Sequence, residues 1–476
     1  MSDISRRSFL RAGSVLLASG TAPGWANSLL AATQSPQNTA GWIRMPRIVN
    51  AEGYVSPFYP EFDYEPERAV KIASTIHANA FRYPAGSYYA NYPTQTKYPR
   101  HPQLTGDPMR ETFRLCRAAN IKNIAYVPVI HPFMDVHSTN PNYAQWQRRD
   151  AEGKPFVTSH FGFTDLYEGC LNSPLRDEVF AMVKEVLTYD IDLVYFDGPY
   201  QGMDQRAKFC HCSWCRALYQ KELGREIPKE DGPIEEVAAY TNWINGRCTE
   251  TLRSLAGLVR TERNLPVLYN DTSLLSRGWC RSRSISATDG FMFEAAETPE
   301  EKLFNLQLGQ STGKCIWTYV GYHSQYNREH LQDKSIRGWY AYPVDGDDLL
   351  MDGSVAFAAG TGMVYWGLSR LYSLPRPTLE YAEGRNIRDI FSLMEKSGPA
   401  IADMQASPQA GVWVSSQTVE SYDADKFVLA AYQSGFRGIW QVMQAGKVDE
   451  IDVIGQDFLH HGEDLIAKRR VQAAFV

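Results

Sequence analysis

Short apolar runs recur along the chain and alternate with longer stretches of helical periodicity. Apolar runs of this length, bounded by turn residues, are typical of buried β-strands. Eight such runs predict eight strands: Arg47–Asn50, Asn79–Tyr83, Ile124–Ile130, Leu193–Phe196, Val267–Asn270, Gly290–Phe293, Cys315–Val320 and Gly362–Gly367.

Helical patterns lie between several of these strands. The clearest is predicted from Pro174 to Leu187, where Asn172 or Ser173 can cap the helix and Pro174 suits its first turn. Asp107-Pro108 opens a similar helix, and a third is predicted from Ile234 to Arg260. Strands that alternate with helices indicate a parallel sheet covered by helices.

Eight strand–helix units over residues 40–375 predict an α/β protein with a (β/α)₈ TIM barrel. A doubly wound open sheet is the alternative. A boundary is predicted at Leu374-Pro375-Arg376-Pro377. Residues 380–476 then show a helical pattern over 386–394, a strand pattern over 410–415, a strand or helix pattern over 427–431, and a helix followed by a short strand over 438–458. This segment is short for a complete α/β domain, so we expect a partial one.

The first residues predict the compartment. Ser5-Arg6-Arg7-Ser8-Phe9-Leu10 is a twin-arginine pattern, followed by an apolar stretch over 15–18 and by small residues near Ala26 and Ala31-Ala32. Residues 1–32 therefore predict a signal peptide handled by the Tat translocase and a periplasmic or secreted protein. A disordered basic N-terminus is the alternative. The apolar stretch is too short to span a bilayer, so membrane insertion is not expected.

Composition and charge narrow the partners. Apolar residues make up 44% of the chain and charged residues 21%, which is typical of a globular protein. Removing residues 1–26 takes away three arginines and one aspartate and changes the formal charge from −6 to −8. This balance argues against a nucleic-acid partner. No glycine-rich phosphate loop is evident, so no organic cofactor is expected.

In a barrel, the residues that follow the strands share one face, where barrel enzymes place their catalytic groups. These residues are Glu52, Arg82, His131, Asp197, Asp271, Glu294, Tyr322 with His323, and Trp366. The set combines Glu52 and three further carboxylates with cationic, polar and aromatic side chains. Such groups can bind the hydroxyls of a sugar and stack on its ring, so we expect a carbohydrate substrate.

Glycosidases need two carboxyl groups across the scissile bond, and about 5–5.5 Å separates them in retaining enzymes. Asp197 and Glu294 are the predicted pair, with Asp271 as the rival for the acid. The apolar run Phe291-Met292-Phe293 would favour the protonated form of Glu294, as a general acid requires. The structural alternative for each acid is a helix N-cap or a loop salt bridge, and for His131 it is simple packing.

A cluster of cysteines predicts a metal site. Cys210, Cys212 and Cys215 lie within one short loop, and a tetrahedral zinc needs a fourth ligand. Cys170 is the best candidate and His211 the second. Disulfides and free thiols are the alternatives, disulfides because an exported chain enters an oxidising compartment. The remaining cysteines, Cys116, Cys248, Cys280 and Cys315, are expected to be buried apolar fillers.

Several motifs resemble known glycoside hydrolases. The stretch from Cys170-Leu171-Asn172-Ser173-Pro174 to Tyr195-Phe196-Asp197-Gly198-Pro199 resembles the hypothetical glycoside hydrolases related to family 29 α-L-fucosidases. Trp146 with Asp150-Ala151-Glu152-Gly153-Lys154-Pro155 matches their strand 3 loop. In family 29 the aspartate of a Phe-Asp-Gly motif is the nucleophile, so the resemblance implies that role for Asp197.

Two further features are similar to family 42 β-galactosidases. The spacing of the cysteines is similar to their zinc cluster, which implies a structural zinc. The tail Arg437-Gly438…Val448-Asp449…Ile454 resembles the opening of their flavodoxin-like trimerisation domain, which implies a homo-oligomer. The predicted segment 380–476 is then a partial domain of that kind.

The sequence therefore predicts an exported retaining glycosidase that removes a terminal fucoside- or galactoside-like sugar. One alternative is a catalytically silent barrel that binds glycans or scaffolds a complex. Another is a metal-dependent hydrolase, but a thiolate-rich loop suits a closed structural site better than an open catalytic one.

Overall fold

The fold is known from a computed structural model, and all described residues follow residue 40. The described residues are 41–51, 64–86, 89–98, 100–129, 134–135, 143–160, 163–199, 209–271, 287–293, 299–310, 314–321, 346–373, 376–402, 410–413, 451–454 and 472–474. The predicted signal peptide lies outside them. No helix among these residues is long and apolar enough to cross a membrane.

Eight parallel strands close into a barrel. In chain order they are β1 (Arg47–Asn50), β2 (Ala80–Pro84), β3 (Lys122–Pro128), β7 (Leu193–Asp197), β8 (Val267–Asp271), β9 (Gly290–Phe293), β10 (Cys315–Val320) and β11 (Gly362–Tyr365). Each strand pairs with its neighbours in this order, and β1 pairs with β11 to close the ring. This order confirms the predicted (β/α)₈ barrel rather than an open sheet.

Helices lie between and after the strands. They are α1 (Pro66–Thr75), α2 (Pro108–Ala118), α3 (Leu175–Val186), α4 (Ser213–Leu223), α5 (Ile234–Arg263), α6 (Pro299–Gln310), α7 (Gly346–Ala358), α8 (Leu368–Ser373) and α9 (Ala382–Ala402). Short 3₁₀ turns occur at Gly41–Ile43, Tyr143–Gln145 and Thr378–Glu380.

The predicted helix starts are confirmed with one change at α3. Asp107 caps α2, because its carboxylate accepts a hydrogen bond from the backbone N–H of Arg110. Pro174 is the N-cap of α3 instead of its first residue, and the Ser173 hydroxyl accepts from the N–H of Leu175 at 3.3 Å. The Asn172 side chain makes no contact of this kind and turns to the cysteine cluster instead.

The two strands that carry predicted catalytic aspartates extend one residue beyond their predicted ends. Asp197 is the last residue of β7 and not the first residue after it, because its carbonyl accepts a hydrogen bond from the N–H of Val129 at 2.9 Å. Asp271 likewise ends β8, where its backbone pairs in register with Phe293. The predicted catalytic aspartates are thus part of the sheet edge itself.

The barrel interior is filled by side chains that alternate along each strand, as the two-residue pleat requires. One cluster of buried residues occupies this interior: Ile43, Ile48, Ala80, Ile124, Tyr126, Leu193, Tyr195, Leu268, Met292, Trp317, Tyr319, Val364 and Trp366. A larger cluster lies between the strands and the surrounding helices and includes Phe81, Val194 and Tyr365. The interior cluster leads directly to the carboxyl ends of the strands.

Two further sheets lie outside the barrel. A three-stranded antiparallel sheet, with the order β4 (Met134–Asp135), β6 (Phe163–Tyr167), β5 (Val157–His160), interrupts the connection between β3 and α3. After α9, β12 (Ala410–Trp413) lies between β13 (Ile451–Ile454) and β14 (Gln472–Ala474), all parallel. The predicted pattern at 427–431 and the predicted boundary at Leu374-Pro375 lie outside the described residues.

Glycine at the start of β9 allows two strands to approach closely. A Cβ atom on Gly290 would lie 2.4 Å from the carbonyl oxygen of Cys315 on β10. Gly246, inside α5, would place a Cβ in open space. We expect Gly290→Ala to lower the free energy of unfolding by roughly 1–3 kcal/mol, since the backbone must shift.

The matched control is Gly246→Ala, which we expect to raise stability by roughly 0.5–1 kcal/mol because alanine favours the helix. Urea unfolding followed by circular dichroism measures both changes. Equal stability of the two variants would contradict the close approach of β9 and β10.

Candidate active site

Asp197 ends β7 at the carboxyl face of the barrel, and its side chain is only 7% exposed. The Tyr126 hydroxyl donates a hydrogen bond to its Oδ2 at 2.5 Å, and the Asn270 side-chain amide donates to its Oδ1 at 2.8 Å. Tyr126 and Asn270 come from β3 and β8, the two strands that flank β7 in the barrel. The closure of the sheet therefore supplies a donor to each carboxylate oxygen.

These two hydrogen bonds favour the ionised form of Asp197, because hydrogen bonds to a carboxylate are stronger than those to a neutral acid. They also fix the plane of the carboxylate. A carboxylate has about four lone-pair positions, so two donors leave others available for chemistry. A carboxylate fixed in this way at the carboxyl face of the barrel is suited to act as a nucleophile.

A buried arginine occupies the next interior layer. Arg82 on β2 has no exposed surface, and its guanidinium Nε donates to the Asn50 side-chain oxygen at 3.0 Å. Its Nη2 donates to the Tyr319 hydroxyl at 2.5 Å, and the Tyr319 ring packs edge-on against Trp366 with 4.6 Å between centroids. Trp366 is 5% exposed. The described contacts of Arg82 are thus with the protein interior.

The predicted strand-end residues divide into three groups. Arg82, Asp197 and Trp366 are described and lie in one continuous buried region. Asp271 is described only through its backbone in β8. The predictions that lie outside the described residues concern Glu52, His131, Glu294, Tyr322 and His323.

The two donors to Asp197 were not among the predicted site residues. The two-residue alternation of the strands identifies them, because every second side chain points into the barrel. Asn270 follows the interior residue Leu268 by two positions, and Tyr126 follows the interior residue Ile124 by two positions. The residue predicted on this strand was instead the charged Asp271, which follows Asn270. In the structure, Asn270 is the β8 side chain that contacts Asp197.

The four predicted cysteines converge. Cys170, Cys210, Cys212 and Cys215 are buried, and their sulfur atoms all lie within 4.8 Å of one another. Cys170 Sγ lies 3.4 Å from Cys215 Sγ and 3.6 Å from Cys212 Sγ. These separations exceed a disulfide bond of about 2.05 Å. They are close to the sulfur spacing of roughly 3.8 Å expected around a tetrahedral metal with bonds of ~2.3 Å.

The surroundings favour a thiolate at Cys210, whereas hydrogen bonds within the cluster and burial raise the pKa values of Cys170 and Cys215. The Asn172 amide donates to Cys215 Sγ at 3.3 Å, and the N–H of Cys215 donates to Cys212 Sγ, which caps α4. Burial alone would raise the pKa of Cys210, but hydrogen bonds from the other three thiols and the charge of Arg148 hold it well below its usual range. A donor set of four convergent, buried sulfurs therefore fits a metal ion, and His211 is not part of this group.

Arg148 links the cluster to the rest of the loop. Its guanidinium forms a buried ion pair with Glu168, and both side chains are at most 3% exposed. Burial alone would lower the pKa of Arg148, but the attraction of Glu168 together with that of Cys210 and Tyr240 keeps it above its usual value. The arginine therefore stays charged beside the sulfurs and can offset part of the negative charge of a metal–thiolate centre.

With this geometry in place, the chain can be compared with known proteins. Residues 65–198 match the family model described as hypothetical glycosyl hydrolase 6. The matched segment runs from the start of α1 through Arg82, Tyr126 and Cys170 to Asp197. No curated protein matches the chain. The hypothetical glycosyl hydrolase 6 match supports a glycosidase.

Solved glycosidases share the fold. An α-L-fucosidase, isoenzyme 2 from Paenibacillus thiaminolyticus, is 18% identical with a TM-score of 0.58. The match covers 78% of this chain and 52% of the fucosidase. A β-galactosidase from Bacillus circulans sp. alkalophilus is 11% identical with a TM-score of 0.60, over 86% of this chain and 64% of its own. A GH42 β-galactosidase from G. stearothermophilus is 11% identical with a TM-score of 0.59, and the match covers 82% of this chain and 63% of that protein.

The chain thus spans about half to two thirds of the length of these structures. At such identities the likeness establishes the TIM-barrel fold that they share with this chain. The match to the hypothetical glycosyl hydrolase 6 model covers the segment that contains Asp197.

The cysteine cluster yields a test that does not depend on activity. We expect Cys215→Ser to abolish bound metal, measured by elemental analysis of protein purified without chelator, and to lower the thermal midpoint. Chelator should lower the midpoint of the wild type but have no further effect on Cys215→Ser.

Cys116→Ala is the matched control, since Cys116 is a buried thiol of α2 outside the cluster. It should keep its metal and its sensitivity to chelator. Metal-free wild-type protein, or a mapped disulfide between two of the four cysteines, would refute the metal site.

Proposed function

We propose that this protein is a retaining glycosidase in which Asp197 is the nucleophile. The observation that carries the proposal is the Asp197 carboxylate at the carboxyl end of a barrel strand, with one fixed donor on each oxygen. In the first step this carboxylate attacks the anomeric carbon, and the bond to the leaving oxygen breaks as an acid protonates that oxygen. Water then hydrolyses the glycosyl ester and restores the carboxylate.

For the acid/base we propose Glu294, with Asp271 as the alternative. Glu294 directly follows the apolar run Phe291-Met292-Phe293 in the sequence, and an apolar environment favours the protonated form that a general acid needs. On β8, Leu268 and Asn270 fill the interior phase. Glu294 is therefore the first acid to test.

The proposed substrate is a terminal sugar of galacto configuration. The fold relatives named above act on α-L-fucosides and β-galactosides, and L-fucose is 6-deoxy-L-galactose. Aryl α-L-fucoside and aryl β-D-galactoside are therefore the first substrates to test, with aryl β-D-glucoside as the epimeric control. A glycan-binding barrel without catalysis would bind such sugars and release no aryl alcohol.

For the metal we propose a structural zinc at the four cysteines. Four thiolates are typical of closed zinc sites, which leave no position open for water. The ion would connect Cys170, in the β6–α3 connection, to the loop before α4 and the first turn of α4. Its contribution would be to fix these loops rather than to take part in bond breaking.

For localisation we propose export by the twin-arginine route, supported by Arg6-Arg7 and the residues that follow them. In a host with this pathway, we expect replacement of both arginines by lysine to leave the precursor in the cytoplasm. Fractionation and immunoblotting measure the result. Normal export of the lysine variant, or loss of export only when another segment is deleted, would contradict the proposal.

The nucleophile is tested by Asp197→Asn, which keeps the size of the side chain and removes its charge. We expect kcat/KM to fall about 10³-fold or more, which corresponds to ~4 kcal/mol of transition-state stabilisation. In Asp197→Ala, azide should partly restore turnover of an activated aryl glycoside, because a small anion can occupy the vacated position.

The control is Asp192→Asn, the same chemical change at the amino end of β7. Asp192 accepts from the N–H of Asn123 and pairs with Arg117, away from the carboxyl face. This variant should lose stability and keep kcat/KM. Wild-type kcat/KM in Asp197→Asn would exclude the nucleophile role.

A further inference from the structure

Arg82 lies among aromatic rings at the centre of the barrel. Its guanidinium carbon is 4.6 Å from the centroid of the Tyr195 ring, 5.1 Å from that of Tyr319 and 5.3 Å from that of Tyr126. The Tyr126 and Tyr195 rings are themselves stacked, with 5.8 Å between centroids. A cation within about 6 Å of a ring face is attracted to it, and more strongly where water is excluded. Arg82 therefore acts electrostatically on Tyr126.

The guanidinium is held in one place. Asn50 on β1 accepts from Nε, the Tyr319 hydroxyl accepts from Nη2, and Met292 Sδ lies 3.7 Å from Nη1. Tyr319 is also fixed from outside the barrel, because the Lys302 ammonium donates to its carbonyl oxygen at 2.6 Å. A charge fixed in this way has a constant effect on its neighbours.

Tyr126 connects this charge to Asp197. Its ring faces the cation, and its hydroxyl donates to Asp197 Oδ2. A positive charge over the ring stabilises electron density on the phenol oxygen as its proton moves toward an acceptor, so it makes the hydroxyl a stronger donor. The same contacts restrict rotation of the ring and thus fix the direction of the hydrogen bond.

We propose that Arg82 is a positioning residue, which acts through the Tyr126 phenol to keep the Asp197 carboxylate ionised and oriented without touching the substrate. This inference rests on the proposed nucleophile role of Asp197. It gives Arg82 a role in place of the direct hydroxyl binding that the sequence suggested. It also explains why an arginine, with a flat guanidinium able to lie against rings, occupies this position.

The proposal predicts a change in pH dependence. Loss of the donor in Tyr126→Phe makes ionised Asp197 less stable, so the pKa of Asp197 should rise. The acid limb of kcat/KM should then move to higher pH by about one unit, which is a tenfold change in ionisation at fixed pH. Arg82→Met should move the limb in the same direction by a smaller amount.

The deciding experiment follows the Asp197 carboxyl carbon directly by ¹³C NMR titration of aspartate-labelled protein, assigned by subtracting the spectrum of Asp197→Asn. The variants are Arg82→Met, Tyr126→Phe and their combination. We expect the double variant to titrate like Tyr126→Phe alone, because Arg82 acts through the phenol. Tyr195→Phe, which keeps the ring beneath the guanidinium, should leave the titration of Asp197 unchanged.

Two results would overturn the proposal. An unchanged Asp197 titration in Arg82→Met would make Arg82 a packing residue only, and additive shifts in the double variant would show that it acts independently of Tyr126. If Arg82→Met does not fold, Arg82→Gln tests the same point, because glutamine removes the charge and keeps a polar group. An unshifted Asp197 titration in Arg82→Gln would again count against the proposal.

The titration needs no substrate. A shifted titration in a protein without glycosidase activity would support the coupling of Arg82 to Asp197 while refuting the proposed function. Normal glycosidase activity with an unshifted titration would do the reverse. The two proposals can therefore fail separately.

Discussion

Closure of eight parallel strands is the constraint on which the rest of this structure depends. In a closed barrel, every second residue of each strand must fit into a shared interior, and the carboxyl ends of all strands meet at one face. Asp197 obtains its two hydrogen-bond donors for this reason, since β3 and β8 are its immediate neighbours. The same packing brings Arg82 against three tyrosines contributed by three different strands.

Much of the fold could be predicted because its signals are local. The eight apolar runs correspond to the eight barrel strands, and the capping residue Asp107 and the length of α5 agree with the patterns to within a few residues. The strand ends were less accurate. Whether Asp197 belongs to β7 depends on a hydrogen bond to Val129, a partner about 70 residues away along the chain that no local pattern records.

The candidate site was predictable in part, and the reason differs from residue to residue. Asp197 follows an apolar run and a Gly-Pro turn, so its position is visible in the sequence. Asn270 is neutral and precedes a carboxylate, and only its contact with Asp197 reveals its importance. Cys170 could be chosen by spacing, yet the convergence of the four sulfurs depends on how the β6–α3 connection and α4 pack around Tyr240 and Trp243.

The filled interior of the barrel has a steric consequence for anything that enters from the carboxyl face. Arg82, Tyr195 and Trp317 have no exposed surface, so among the described residues the layer beneath Asp197 is filled by side chains. A ligand that contacts Asp197 cannot extend past this layer, so the whole of it must lie on the carboxyl side of the barrel.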